Sequence, residues 1–136
     1  MAALTAPRST VERSGTTRQP PVKAATVIFQ GSMVAIDTSG WAVPAAATST
    51  LKVIGRAEDT ASNAAGANGD VDVRVSAGIY RWSNSSAGDA ITRADIGADC
   101  YAVDDQTVAK TSATNTRPRA GKIFDVDSLG VWVDHR

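Results

Sequence analysis

The chain has 136 residues, and its 14 Lys plus Arg balance its 14 Asp plus Glu, so the net charge is zero. This length corresponds to one small domain, and zero net charge argues against a dedicated nucleic-acid binder, which is normally strongly basic. No apolar run approaches the ~18 residues of a membrane-spanning helix. The first residues lack the basic and apolar regions of a secretory signal. A single Cys excludes an internal disulfide framework.

The first 23 residues differ from the rest of the chain. Their basic residues are Arg8, Arg13, Arg18 and Lys23. Glu12 is their only acidic residue, so the segment carries +3 and the remainder carries −3. The segment contains three prolines and shows no helical or strand period, and alone it cannot bury enough apolar area to offset its chain entropy. We therefore predict a flexible arm over residues 1–23 and a β-domain over residues 24–136. A disordered tail, an arm that orders on a partner and a transit peptide remain open for the arm.

From residue 24 the sequence is typical of β-strands, because Val, Thr and Ile total 35 residues in the chain against three Leu. Residues 70–75 alternate Asp, Val, Asp, Val, Arg and Val, which predicts a half-buried strand with the valines inward. Gly78 predicts a bulge or bend before a strand over 79–82. Further strands are predicted over 25–30, 32–37, 40–44, 51–57, 100–104, 107–111, 121–126 and 130–134.

One helical turn and one repeat complete the pattern. Thr92 and Gly97 are typical of the start and the end of a single turn over 92–96. Residues 34–43 and 101–109 each contain a strand, an Asp-led turn and a second strand, and each pair leads to a strand that contains Gly and a base. Two related units or a chance likeness between hairpins both remain open. Either case predicts an all-β fold, a small antiparallel β-barrel, β-tulip or sandwich.

The sequence offers no set of residues for catalysis, a metal or a cofactor. The single histidine, His135, lies past the last predicted strand, where we expect it to fray, and Ser–His–Asp or Cys–His chemistry needs a fixed imidazole. Cys100 begins an apolar strand and is predicted to be a buried, inert thiol. The acidic pairs lie at turns, where aspartates usually form the turn and stay solvated. We therefore expect a protein that is not an enzyme and holds no cofactor.

The large aromatic residues are few and allow two interpretations. They are Trp41, Tyr80, Trp82, Tyr101 and Trp132. Three exposed tryptophans could form a carbohydrate platform, as in a host-attachment module. With so few large side chains, all five are better candidates for the core or for a subunit interface.

Several short motifs follow one another in a definite order after the polar N-terminal segment. They are Gly31–Asp37, Val53–Ala57, Val71–Trp82, Ile96–Val108, Ala120–Ile123 and Gly130–Val133. In this order the chain resembles the small decoration, or cement, proteins on the capsids of tailed bacteriophages. The likeness covers most of residues 24–133, and it carries over no catalytic motif.

The resemblance implies a β-barrel or β-tulip domain on the outer capsid surface of a virion, at local three-fold positions. Such proteins usually act as trimers that clamp neighbouring major capsid subunits, without a cofactor, direct nucleic-acid contact or a membrane. A thin core accords with stability completed by association. In this interpretation the arm contacts the capsid through its four basic residues, because guanidinium groups pair well with carboxylates. A carbohydrate-binding or host-attachment module is the alternative.

Overall fold

The structure is a computed structural model that describes residues 1–13 and 15–136, and within them the regular secondary structure is almost wholly β-strand. The strands are β1 (Thr17–Arg18), β2 (Thr26–Ile28), β3 (Met33–Ile36), β4 (Ala42–Pro44), β5 (Lys52–Ala57), β6 (Ala61–Asn63), β7 (Val75–Ser76), β8 (Ile79–Asn84), β9 (Asp99–Ala102), β10 (Thr107–Ala109), β11 (Arg119–Asp127) and β12 (Gly130–Asp134). Two short 3-10 helices span Ala87–Asp89 and Arg93–Asp95. The predicted all-β class is confirmed.

The C-terminal half forms a closed five-stranded barrel in the order β10-β8-β12-β11-β9. Four of its strand pairs are antiparallel, as the sequence predicts. The pair that closes the barrel, β10 with β8, is parallel. It forms because β8 extends beyond β12, so that Ser83 and Asn84 reach Thr107 and Val108.

The N-terminal half is a five-stranded sheet in the order β1-β7-β5-β3-β4, with β2 and β6 forming a separate pair. Residues 16–23 connect the two edges of this sheet. At one edge Thr17 pairs with Ser76 in antiparallel register. At the other edge Val22 lies beside Ala42 in a parallel bridge. This single segment therefore brings the first sheet to a similar closure.

The two halves have the same strand pairings, which supports the predicted repeat. In each half one strand pairs with both of the strands that follow it, β3 with β4 and β5, and β9 with β10 and β11. In the first half β5 then pairs with β7, and β7 pairs with residues 17–18. In the second half β11 pairs with β12, and β12 pairs with β8. Residues 16–23 thus take the place of β8 in the first half.

A glycine after a β-bulge marks the same point in both repeats. The register shifts at Ile54 before Gly55 and at Ala120 before Gly121. A Cβ atom at either glycine would collide with a backbone carbonyl, that of Ser76 or of Asp134. Because Gly55 pairs with Val34 and Gly121 pairs with Cys100, Val34 corresponds to Cys100. The sequence alignment, which matched Val34 with Tyr101, is displaced by one residue.

The strand predicted over residues 70–75 has the expected burial but only part of the expected pairing. Val73 and Val75 are buried, whereas Asp72 and Arg74 are exposed. Only Val75 belongs to a regular strand. The preceding residues instead bond to the N-terminal segment, since Val73 N–H donates to Pro20 O at 3.1 Å and Val22 N–H donates to Val71 O at 2.9 Å.

This packing moves the start of the β-domain from the predicted residue 24 to residue 16. Val22 is fully buried, and its carbonyl accepts hydrogen bonds from Gly69 N–H and from the side chain of Asn63. The Asn63 amide, itself 2% exposed, also donates to Lys23 O and to Ala67 O. Residues 1–13 form no helix or strand, and all their side chains are exposed.

Two hydrophobic clusters share one strand. Met33 and Ala35 of β3 belong to a cluster that fills the C-terminal barrel. Val34 lies in the other cluster, with Val22, Val73 and their neighbours, and Ile36 packs against it. Both faces of β3 are buried, because successive side chains of a strand point to opposite sides.

His135 is held in place, so the expectation that it frays is wrong. Trp82 Nε1–H donates to His135 Nε2 at 2.8 Å, and His135 Nδ1 lies 2.8 Å from Ala120 O. These bonds define the neutral tautomer with its proton on Nδ1. Burial is the main reason why the pKa of His135 falls from 6.5 to about 4.

Candidate interaction surface

The reactive side chains of the described residues are occupied or isolated. His135 Nε2 already accepts a hydrogen bond from Trp82, so it is not free to take a proton from a nucleophile. Cys100 is buried as predicted, and burial raises the pKa of its thiol to about 12. Residues 1–13 and 15–136 contain no group of three or more His, Cys, Asp or Glu arranged to hold a metal.

The turn aspartates do the structural work predicted for them. Asp37, Asp104 and Asp127 each accept a hydrogen bond from the backbone N–H two residues further on, at 2.8–2.9 Å. Asp127 also accepts from Trp132 Nε1 at 2.9 Å, which helps to hold its pKa below the usual range. The Asn84 amide pairs with both backbone groups of Ile91 and so anchors the loop between these residues.

The five aromatic candidates occupy different environments. Trp82 is 5% exposed and lies in the core of the C-terminal barrel. Trp41, Tyr80, Tyr101 and Trp132 are only partly buried. The structure therefore does not assemble the three tryptophans into one exposed platform.

The four basic residues predicted as contacts are all exposed. Arg8 lies in residues 1–13, which have no regular structure. Arg13 Nη2 lies 3.5 Å from Thr17 O, and Arg18 is in β1. Lys23 Nζ lies 3.9 Å from Asp37 Oδ2, a weak and solvated ion pair.

A groove begins beside two of these residues. Along β1 and β7 its wall contains Arg13, Arg18 and Arg74, together with Glu58. The Arg74 side chain is 64% exposed and pairs with Asp59 at 3.2 Å. No ion pair is formed by Arg13 or Arg18 within the described part of the chain.

Two further hollows adjoin this one. The first shares Glu58 with it and is also lined by Gly31 and Arg56. The second shares Gly31 and Arg56 with the first and is also lined by Tyr80, Arg81 and Trp132. We call these three adjoining hollows together the arginine groove. Its charged lining residues are Arg13, Arg18, Arg56, Arg74, Arg81 and Glu58.

Aromatic rings position the two arginines at the far end. The guanidinium carbon of Arg56 lies 3.9 Å from the centre of the Tyr80 ring, and that of Arg81 lies 5.6 Å from the centre of a Trp132 ring. Arg56 also donates two hydrogen bonds to Glu58, at 2.8 and 3.2 Å. These bonds are the main cause of the lowered pKa of Glu58. Stacking and pairing hold the guanidinium planes in defined orientations.

Arg56, Arg74 and Arg81 were not predicted from the sequence as members of a charged surface. Pairing of β5 with β7 brings Arg56 and Arg74 close together. Arg81 belongs to the barrel, and the contact of Arg56 with the ring of its neighbour Tyr80 brings the two segments together. The alternation around Arg74 and the strand that contains Arg81 indicate outward side chains. No local signal shows that these side chains share one groove with the N-terminal segment.

Comparisons with known proteins add no assignment. No family model, no curated protein and no solved structure matches this chain. Within the described residues, no helix is long and apolar enough to span a membrane.

Proposed function

We propose that the protein is a non-enzymatic structural component of a virion that decorates the outer capsid surface and cements neighbouring major capsid subunits. The observation that carries the proposal is the exposed N-terminal segment. Leu4 is 71% exposed and Val11 94% exposed, and Arg8 lies between them. Apolar side chains interleaved with arginines, with no cover from their own body, fit a contact element for another protein surface.

The attachment of this segment to the body suits a mechanical role. Residues 16–23 close the first sheet through backbone bonds on both sides, to Ala77 at one edge and to Ala42 at the other. A force on the N-terminal segment would therefore act directly on a paired and partly buried strand. The side chain of Asn63 donates two further hydrogen bonds to the same segment, to Val22 O and Lys23 O.

Stabilisation in this proposal comes from many weak contacts. One exposed ion pair contributes only ~1 kcal/mol or less. Several contacts on one chain, repeated in a homotrimer, bind at a high effective concentration once the first has formed. The shell then resists internal pressure because many contacts must break together.

The test uses capsid shells assembled from the major capsid protein encoded in the same genome. Purified full-length protein is added, and occupancy is measured by quantitative mass spectrometry and by cryo-electron microscopy of the shells. We expect density on the outer face and a copy number comparable to that of the shell subunit. A variant lacking residues 2–13 should keep its fold and show reduced occupancy. Absence of the full-length protein from the shells would refute the proposal.

The alternative, a carbohydrate-binding or host-attachment module, has weaker support. A platform needs open aromatic faces, but Trp82 is buried and Arg81 lies against the Trp132 ring. The two functions separate in a binding assay on immobilised polysaccharide. Retention that is lost in a folded Trp132→Ala variant would favour the alternative.

A further inference from the structure

The arginine groove concentrates positive charge on a protein that is neutral as a whole. The groove is lined by five arginines and one glutamate, and two aspartates beside it also act on its arginines, Asp59 on Arg74 and Asp127 on Arg81. Five positive charges therefore face three negative ones, whereas the complete chain carries equal numbers of basic and acidic residues. The distribution is also the reverse of the average for the body, since residues 24–136 carry −3. An anion near this face meets a local field of opposite sign, which the net charge conceals.

Several of the groove arginines have unused hydrogen-bonding capacity. In the part of the chain that the structure describes, Arg13, Arg18 and Arg81 form no ion pair. Arg56 uses Nε and Nη2 for Glu58 and leaves Nη1 without a bond to that carboxylate. A guanidinium fork matches a carboxylate in two-point geometry, and a guanidinium held on a ring loses less entropy when it binds.

The shape of the groove indicates an extended ligand. The arginines lie on β1 (Arg18), just before β7 (Arg74), on β5 (Arg56) and on β8 (Arg81), in adjoining hollows, so they are spread across both halves of the chain rather than gathered in one closed pocket. At its first end, Thr16 O bonds to Ala77 N–H, so the neighbouring Thr17 turns its carbonyl away from β7. That carbonyl meets only the 3.5 Å contact from Arg13.

We propose that the arginine groove binds an extended, carboxylate-rich segment of a partner protein. The inference rests on the proposed function only for the identity of that partner, a subunit of the shell. The ring faces of Tyr80 and Trp132 next to the groove are occupied by Arg56 and Arg81, so base stacking of a single-stranded nucleic acid has less room. The guanidinium edges of Arg81 and the Nη1 atom of Arg56 carry no bond to a carboxylate, and carboxylates bind at such positions.

The experiment measures binding of a fluorescein-labelled peptide of alternating Glu and Ser to the full-length protein by fluorescence anisotropy. The same peptide with Gln in place of Glu is the uncharged probe. Two double variants remove charge from opposite ends of the groove, Arg56→Gln with Arg81→Gln and Arg18→Gln with Arg74→Gln. The matched control is Lys52→Gln with Arg93→Gln, which removes the same charge from exposed positions outside the groove.

We expect the acidic peptide to bind and the Gln peptide not to bind. Each groove variant should weaken binding by about tenfold, whereas the control variant should change it by less than about twofold. Thermal unfolding checks that the variants are folded. If loss of the Arg56–Tyr80 contact destabilises the Arg56 and Arg81 variant, the Arg18 and Arg74 variant still tests the proposal.

Three results would overturn the groove assignment: equal binding of both peptides, equal losses in groove and control variants, or tighter binding of an oligothymidylate than of the acidic peptide. The measurement of shell occupancy tests the proposed function independently of the peptide-binding assay. Peptide binding without shell occupancy would support the groove and refute only the capsid as its partner.

Discussion

The partly buried imidazole of His135 should make the protein less stable as the pH falls from 7 to 5. Its pKa is about 4 in the folded state against 6.5 as the ordinary value, so the unfolded chain takes up a proton that the folded chain refuses. Stability is complete above the unfolded value and is lost as the pH falls through 6.5 towards 4. The linkage relation gives a loss of about 2 kcal/mol between pH 7 and pH 5, and about 3 kcal/mol in total.

The groups around the imidazole explain why acid destabilises the folded state. Protonation of Nε2 would oppose the Trp82 N–H, while Asp134 favours the charged form and Arg119 opposes it. The hydrogen-bonded carboxylates, such as Asp89 and Asp127, have pKa values below 3.8 and lose their contribution only at lower pH. His135 is the only histidine in the chain. Burial raises the pKa of Asp105, which changes stability with pH in the opposite direction, so the comparison with a His135 variant isolates the imidazole.

Urea unfolding followed by circular dichroism at pH 7, 6 and 5 measures the effect. His135→Gln, which keeps a hydrogen-bond acceptor without a titratable ring, should remove most of the pH dependence, whatever its own cost at pH 7. An NMR titration of the wild-type imidazole gives the pKa directly. If the wild type and the variant lose equal free energy of unfolding between pH 7 and pH 5, or if the imidazole pKa is near 6.5, this explanation is wrong.

Three further outcomes follow from the packing. Deleting residues 2–13 should leave the urea midpoint nearly unchanged. Deleting residues 2–23 should unfold the chain, because this larger deletion removes the fully buried Val22 and the backbone hydrogen bonds that close the first sheet. If both truncated proteins are stable, this prediction is wrong. Gly121→Ala should cost about 3 kcal/mol in chemical denaturation, because its methyl group meets a backbone carbonyl of β12, and an unchanged midpoint would refute the collision. Cys100 should resist a thiol reagent at pH 8 until denaturant is added, since burial keeps the thiol protonated; rapid labelling of the native protein would exclude that explanation.

Much of the fold could be predicted from local chemistry. Alternation predicted the inward valines at Val73 and Val75, and Asp-led turns identified the two hairpins over residues 34–43 and 101–109. Thr92 indicated a single helical turn, and its backbone N–H does bond to the side chain of Asp95 at 2.8 Å. These features depend on neighbours in sequence, which is why a single sequence reveals them.

The structural features that could not be predicted depend on pairing between residues far apart in the chain. Residues 16–23 have no strand period, yet they are ordered by edges that lie twenty to sixty residues away in the chain. His135 is near a chain end, where fraying is the usual outcome, but hydrogen bonds to Trp82 and Ala120 hold it in place. The arginine groove likewise depends on contacts between distant segments, which composition and periodicity do not encode.

The shared position of β3 has a consequence for how the molecule loses its structure. Met33 and Ala35 serve one cluster and Val34 serves the other, so neither repeat can open without exposing apolar surface of its neighbour. The duplicated halves are therefore one cooperative unit, with no partly melted species expected at equilibrium. A protein built this way would keep its binding surfaces intact until the whole chain unfolds.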